Sequence, residues 1–504
     1  MHKFLMFLAV LGIPSAAAHA EWHKATTDHF VIYAESEQEW LRDYAESLER
    51  FDSGARWLRD LPEGAAPGAN KVTVYALSAD EFAELSPARQ VAGFYIPRAS
   101  GSRIFFPRYG GGLNPEATLF HEYTHHLYAV SWASIAIPDW LSEGLAEFHS
   151  TAEVRNDGTM VIGREPLHRE YELENLSVDD IRRMLTPNAV ASRGDMRYSG
   201  GWMLTHFLTF DKERQGQLAR YLVAVNSGKS LEEASTAAFG DLSDLERDLR
   251  KYRRGTSLPA VAIPAEDLKI GTIDIRELTP GEAATILVAA HSQRGVTEED
   301  APEVYAEAKA AAAPYPNDAA AQRVLAEAAY DAGDYAAALA AADRAIAAAP
   351  ELASAYAYKA MAMLAAEEND ASAGDIRGVI EAGLRADPNS AELLELYYRS
   401  FAEFGDAPTE LARQRIYQAF RIAPQAASLR MTAAHQLLVD HNPNEARALL
   451  RPLGFSVHRS SMADTARAIV TAIDAGDLAA ALRATEQEAG EDDRESGAGG
   501  DDTA

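Results

Sequence analysis

His121-Glu122-Tyr123-Thr124-His125 carries more chemistry than any other stretch of the chain. On a helix, positions i and i+4 are offset by about 40°, so His121 and His125 face the same way and can grip one ion. Glu122 lies one position along, beside that face, where a carboxylate can take a proton from an attacking water. His126 points well away and receives no metal role.

Downstream, Pro138-Asp139-Trp140-Leu141-Ser142-Glu143-Gly144-Leu145-Ala146-Glu147 opens a second helix. Glu143 can supply a third ligand and leave one coordination position open. Glu147 sits one turn later on the same face, placed to hydrogen-bond the outer nitrogen of a ligating histidine. The alternative for both carboxylates is a solvated acidic stripe. Trp140, Leu141, Leu145 and Phe148 around them predict a largely buried helix instead, where unpaired carboxylates are costly. His206 reads as a core histidine, and His149 and His168 lack a matching partner spacing and get no role.

Upstream, residues 21–108 mix strands and helices. Phe30-Val31-Ile32-Tyr33, Val72-Thr73-Val74-Tyr75 and Ile104-Phe105-Phe106 are β-branched and aromatic runs that predict strands. Trp40, Leu41, Tyr44, Leu48 and Phe51 recur at helical spacing between the first two. Ile104-Phe105-Phe106 is expected to be an edge strand bordering the metal cleft. Gly110-Gly111-Gly112 makes a loop, and Asn114-Pro115-Glu116 opens the metal helix with a cap, a proline at its first position and an acid facing the dipole. Thr151 to Arg164 predicts a hairpin turning at Asn156-Asp157-Gly158, and 165–254 reads as mostly helical.

Past residue 259 the composition shifts to alanine-rich helices. Pro316, Pro350, Pro388 and Pro424 close segments 34, 38 and 36 residues apart. Residues 319–350 follow the tetratricopeptide pattern best: Leu325 and Ala326 in a first helix, a Gly333-Asp334-Tyr335 turn, Ala338, Ala342 and Ala345 along a second, then Pro350. About five helical pairs are expected, stacked as a solenoid with a concave face. The alternative is a generic alanine-rich bundle, which the proline spacing disfavours.

With 47 Lys+Arg against 76 Asp+Glu in 504 residues, the net charge is −29. Such a chain repels nucleic-acid phosphate unless it carries a basic patch, and the densest basic run, Arg250-Lys251-Tyr252-Arg253-Arg254, is too short for one. Cysteine is absent, so any metal must be held by histidine and carboxylate. Lys3, the apolar run Phe4 to Ile13 and Ala18-His19-Ala20 read as a secretory signal peptide over 1–20. No segment reaches membrane-spanning length. The expected product is exported, either periplasmic or secreted.

The His121-Glu122-x-x-His125 motif with Trp140-Leu141-Ser142-Glu143-Gly144 resembles the gluzincins, zinc metallopeptidases of clan MA. More closely it is similar to bacterial peptidase MA-like proteins that often carry tetratricopeptide repeats. Thr27-Asp28-His29-Phe30-Val31-Ile32-Tyr33 and Val91-Ala92-Gly93-Phe94-Tyr95 share that resemblance, which covers roughly residues 26–255 with the repeats beside it. It implies zinc held by His121, His125 and Glu143, with Glu122 as general base. The metzincins fit less well, because Tyr128 and Ser131 stand where their longer motif needs glycine and histidine. Enzymes like gluzincins often set a tyrosine from a later helix over the substrate carbonyl, which makes Tyr198 the candidate oxyanion donor; simple packing at a helix start is its alternative.

The expected architecture is an α+β zincin-like metallopeptidase domain followed by an all-α tetratricopeptide-repeat solenoid. Its expected limits are signal peptide 1–20, peptidase domain 21–258, connector 259–280, repeats 281–488 and an acidic disordered tail 489–504. The expected activity is zinc-dependent hydrolysis of a peptide or protein substrate, with the repeats capturing a substrate or protein partner. The rival is a catalytically silent secreted scaffold that still binds metal. Glycosidase chemistry by paired carboxylates fits poorly, since Glu143 and Glu147 have better metal roles.

Overall fold

The computed structural model describes residues 21–495 except 65, 67, 87–90, 110–114, 187–195, 255–257, 367–370 and 456–459. The expected leader 1–20, the Gly110-Gly111-Gly112 loop, the Asn114 cap and the last part of the acidic tail lie outside the described residues.

Strands β1 (Trp22–Thr26) and β2 (Phe30–Glu35) pair antiparallel, and helix α1 (Gln38–Arg59) carries the chain over to β3 (Val72–Leu77), parallel to β2. After α2 (Ala79–Leu85), strand β4 (Phe94–Ile96) runs antiparallel to β5 (Arg103–Pro107), which lies parallel to β3. Side chains alternate across the sheet because the strand period is two. Phe30, Ile32, Val72, Val74, Ile104 and Phe106 face one side and join the large core with α1 and with α3 (Pro115–Ser131). There Phe51 of α1 stacks on Phe120 of α3 at 3.9 Å between ring centroids. Tyr75, Leu77, Phe94 and Phe105 face the other side and pack on Phe82 and Leu85 of α2.

Beyond α4 (Asp139–Ser150), the hairpin β6 (Glu153–Val154) and β7 (Met160–Ile162) turns with Gly158 at φ +79°, a conformation glycine adopts without strain. Helices α5 (Glu170–Asn175), α6 (Val178–Met184), α7 (Met196–Phe210), α8 (Gln217–Asn226), α9 (Leu231–Phe239) and α10 (Leu242–Arg253) follow.

Two expectations are corrected here. The sheet order is β4-β5-β3-β2-β1-β9, so Ile104-Phe105-Phe106 sits inside the sheet and β4 is the edge. A strand covered on both faces reads as an unbroken apolar run, and that run says nothing about which neighbours it has. Residues 259–280 are not a connector either. They supply β8 (Val261–Ile263), which pairs with β7, and β9 (Asp274–Glu277), which closes the main sheet beside β1.

The rest of the chain is an all-helical, repeat-like array. Its pairs are α11 (Pro280–Arg294) with α12 (Ala301–Ala312), α13 (Ala319–Asp331) with α14 (Tyr335–Ala348), and α15 (Ala353–Ala365) with α16 (Ala373–Ala386). Then come α17 (Ala391–Glu403) with α18 (Glu410–Ile422), α19 (Ala427–Val439) with α20 (Pro443–Gly454), and α21 (Ser461–Asp474) with α22 (Leu478–Glu495). That makes six pairs among the described residues, one more than expected. Pro316, Pro350, Pro388 and Pro424 all fall between pairs, where a missing N–H costs nothing. The backbone of α22 continues helical to Glu495, into the stretch expected to be a disordered tail, because its alanines and glutamates favour helix. Among the described residues no helix is long and apolar enough to cross a membrane.

The array's inner face does not stand open as expected. Ile286 and Ala290 of α11 complete the sheet's outer cluster with Tyr75, Phe94 and Phe105. Gln293 accepts hydrogen bonds from the Tyr75 hydroxyl at 2.9 Å and from Arg103 Nε at 2.6 Å. Arg430 of α19 donates to the Ala133 carbonyl at 2.8 Å, and Arg451 of α20 to the Val225 carbonyl at 2.7 Å. Between sheet and array lies a polar cavity of about 400 Å³, lined by Arg103, Arg323, Glu327 and Glu392 among others. Strand and helix arrays each leave one apolar face uncovered, and here they cover each other.

Candidate metal centre

Helix α3 is locked from behind before its histidines meet anything. Tyr123 sends its hydroxyl to Asp52 Oδ1 at 2.6 Å, and Asp52 also accepts from Arg56 Nε at 2.7 Å. On the neighbouring turn of α1, Glu49 accepts from the His29 backbone N–H and lies 2.9 Å from His29 Nδ1. These buried groups tie β2, α1 and α3 together, so removing one would strand the others without partners. His126 faces away from the metal side: its Nδ1 lies 3.0 Å from the Tyr95 hydroxyl, and burial and Arg56 hold it down at about 3, hence neutral.

On the opposite face of α3, His121 Nε2 and His125 Nε2 come within 3.3 Å of each other. Glu143 Oε2, from α4, lies 3.3 Å from the first and 3.8 Å from the second. Among the described residues these three form the one group of His, Asp and Glu close enough to hold an ion. Ligands at ~2.0–2.2 Å in a tetrahedron are about 3.4 Å apart, so this donor set fits zinc in both type and spacing. The electrostatics agree in sign. Burial alone would depress His121, but the Glu143 hydrogen bond and the charges of Glu143, Glu122 and Glu147 raise it to about 9. A positive charge is favoured at that spot. Glu122 is itself buried, and its charge reaches both His121 and the Tyr95 hydroxyl, which burial and Glu122 together push up.

Helix α4 reaches this position through glycine. A Cβ on Gly144 would overlap the Gly201 carbonyl of α7, and one on Gly201 would overlap the Trp140 carbonyl. The two helices therefore touch backbone to backbone, which no larger residue allows. Trp140 fixes the same contact from below by donating to the Tyr221 hydroxyl at 3.1 Å. The close crossing brings Tyr198, near the start of α7, to 6.0 Å from His121 between ring centroids.

Glu147 is aimed as the helical spacing predicts, but its partners differ. His121 Nδ1 is 3.8 Å from Glu147 Oε1, beyond hydrogen-bond reach. Instead Oε1 accepts from Arg169 Nη2 at 2.9 Å, and Oε2 lies 3.2 Å from His168 Nε2. Burial would raise this carboxyl; His168, His121 and Arg169 outweigh it and hold Glu147 at about 2. Arg169 also stacks 4.7 Å over the Tyr198 ring. His168 and Arg169, given no role by spacing, thus organise the site from a short turn at Leu167–Arg169. No periodic signal links them to α3 or α4. His149 and His206 serve the core. His149 Nδ1 lies 2.8 Å from the Leu145 carbonyl, and His206 Nε2 lies 3.0 Å from the carbonyls of Gly163 and Pro259.

No family model matches the chain, and no curated protein matches it. Among solved structures, a thermophilic TPR protein of Thermus thermophilus aligns over 37% of this chain and 95% of its own length, at 18% identity and a TM-score of 0.30.

Proposed function

We propose that the chain is an exported zinc-dependent peptidase whose α+β unit is of the gluzincin type and whose array is a tetratricopeptide-repeat solenoid. The observation that carries the reading is the meeting of His121, His125 and Glu143 donors at 3.3–3.8 Å with buried Glu122 one position away. His121, His125 and Glu143 would hold the ion. Zinc, when bound, supplies Lewis-acid polarisation of a carbonyl and makes water acidic enough to attack near neutral pH. Glu122 accepts the proton of the attacking water and returns it to the amide nitrogen as the C–N bond breaks. Tyr198 donates to the carbonyl oxygen as negative charge grows there, with Arg169 stacked behind its ring. Glu147, ionised and held by His168 and Arg169, adds a negative charge beside His121. The edge strand β4 accepts the peptide as an added strand through main-chain hydrogen bonds. With the array's inner face turned to its own sheet, capture of a protein partner falls to the outer face.

Glu122→Gln tests this reading. Zinc content, measured on the purified full-length protein, stays near one per chain, because the three ligands are untouched. Peptide hydrolysis falls by ~10²–10⁴-fold, the usual contribution of a positioned general base. His121→Ala loses both metal and activity. A native protein that binds zinc and cleaves nothing in a broad peptide library supports the silent scaffold instead.

A further inference from the structure

A cavity of about 240 Å³ is lined by His125 of the candidate metal centre and by Ser142, whose hydroxyl lies 3.4 Å from His125 Nδ1. One side is built by the α+β unit: Trp132 just after α3, and Ile135 and Ile137 on the way to α4. The facing side comes from the helical array, through Leu453 in the last turn of α20, Phe455 just beyond it, and Arg430 of α19. Tyr95 of the edge strand β4 and Pro97 beyond it also line the space. The edge strand β4 thus borders a cavity that reaches His125 of the donor set.

We propose that this cavity is a specificity pocket shared between the two halves of the molecule, and that it takes the bulky apolar side chain of a substrate residue flanking the cleaved bond. The inference rests on the peptidase reading above and gives that reading a substrate class. Its lining decides the chemistry. Among the described residues no carboxylate lines the cavity. The guanidinium of Arg430 is 5% exposed and spends its N–H groups on the carbonyls of Ala133, Leu449 and Pro424 at 2.7–2.8 Å. A buried cation without a carboxylate repels a basic side chain. Those same bonds join α19 to the segment after α3, so the wall is fixed rather than loosely apposed. Size then selects: an apolar cavity of about 150 Å³ already admits benzene, so this one has room for phenylalanine, leucine or methionine.

The test uses full-length, zinc-loaded protein and a peptide series varied at the two residues flanking the cleaved bond. At one of them, kcat/KM for phenylalanine or leucine exceeds that for alanine by roughly 10–200-fold, the range a hydrophobic pocket supplies. Leu453→Trp, which fills the cavity from the array side, removes at least about tenfold of that preference and cuts cleavage of the alanine peptide far less. Phe455→Ala, which enlarges it, moves the optimum toward tryptophan, so one misfolded variant does not decide the matter. A second readout needs no turnover: N-acetyl-phenylalaninamide binds the Glu122→Gln protein more tightly than N-acetyl-alaninamide by calorimetry, and Leu453→Trp erases the difference. Preference for an acidic residue or a free C-terminal carboxylate would mean that Arg430 reads an anion, and overturns the proposal. So does an apolar preference unchanged in both variants. If the native protein cleaves no peptide yet the binding difference appears and Leu453→Trp erases it, the pocket stands and the peptidase reading falls; if peptides are cleaved without the difference, the pocket falls alone.

Discussion

The α+β unit gathers most of its apolar side chains into one large cluster, from Ala25 in β1 to Leu268 after β8, with a smaller one on the other side of the sheet, whereas the array divides its own among several. Two of these have buried members that are alanine only: Ala326, Ala341 and Ala342, and Ala329, Ala338 and Ala362. Each alanine removes little surface from water, at about 0.8 kcal/mol per buried CH₂, so the packing there leans on half-buried larger side chains such as Leu325, Tyr330 and Tyr358. Farther along, Ile376, Ile380, Leu393, Tyr397 and Phe401 give the later pairs a core of their own. The first helix of the array, α11, also packs on the sheet through Ile286 and Ala290. The difference teaches that the two regions are unequal partners at their seam: the α+β unit needs a cover for Phe94 and Phe105, and α11 supplies it while packing on α12 and α13 through Val288, Val304 and Val324.

Removing residues 279–504 would break this comparison if the halves were independent. It uncovers Tyr75, Phe94 and Phe105 and strips Arg430 and Arg451 from the carbonyls they hold. The shortened chain is expected to melt at least about 10 °C lower than the full chain, or not to fold cooperatively. Equal melting temperatures in calorimetry would show the unit to be self-sufficient. Because of the same seam, short-peptide cleavage is expected to suffer when the repeats are lost.

A pair of glycines sharpens the contrast within each region. Gly144→Ala drives a Cβ into the backbone of α7. It should cost about 3 kcal/mol in denaturant unfolding, at the upper end for overpacking, and lower zinc affinity by moving Glu143. Gly378 lies exposed inside α16 with nothing near its would-be Cβ. Gly378→Ala should stabilise by about 0.5–1 kcal/mol and leave zinc binding unchanged, because a helix interior favours alanine. It is the smallest effect expected, and of the opposite sign.

Between these in size lies the seam itself. Burial and the charge of Glu327 push Glu392 up to about 7, against the pull of Arg103, Arg98 and Arg323. The folded state therefore holds a proton that the unfolded chain releases near 4.5. The stability this supplies is fully present below about pH 4.5 and lost as pH rises through 7. Glu392→Gln, neutral at every pH, is expected to gain about 2 kcal/mol over the native protein at pH 8.5 and nothing at pH 4. Thermal melts of both proteins at the two pH values check it; a gain that does not change with pH rules out the titration.

What could be read without coordinates had a short period behind it. His121 and His125 are one helical turn apart on one segment, and the runs at 30–33, 72–75 and 104–106 are strands because of their residue types. The helix opening at Asp139, the hairpin turn at Gly158 and the proline-spaced pairs follow from equally local rules of capping, turn geometry and missing N–H groups. All of these concern neighbours within a few residues, which the chain's own geometry brings together.

The rest depended on which distant surfaces meet. Strand β5 lies inside the sheet because β4 folds back beside it; Glu147 is held by His168 and Arg169 because a turn twenty-odd residues later comes to rest there. Residues 259–280 join two sheets, and the inner face of the array closes on the unit that precedes it. The amino-acid sequence by itself determined the elements, their amphipathic faces and the donor types near the metal, since those follow from backbone geometry and solvation residue by residue. Only the tertiary structure decided which face covers which, because exposed apolar surface is satisfied by any cover of the right shape, and non-directional burial carries no address.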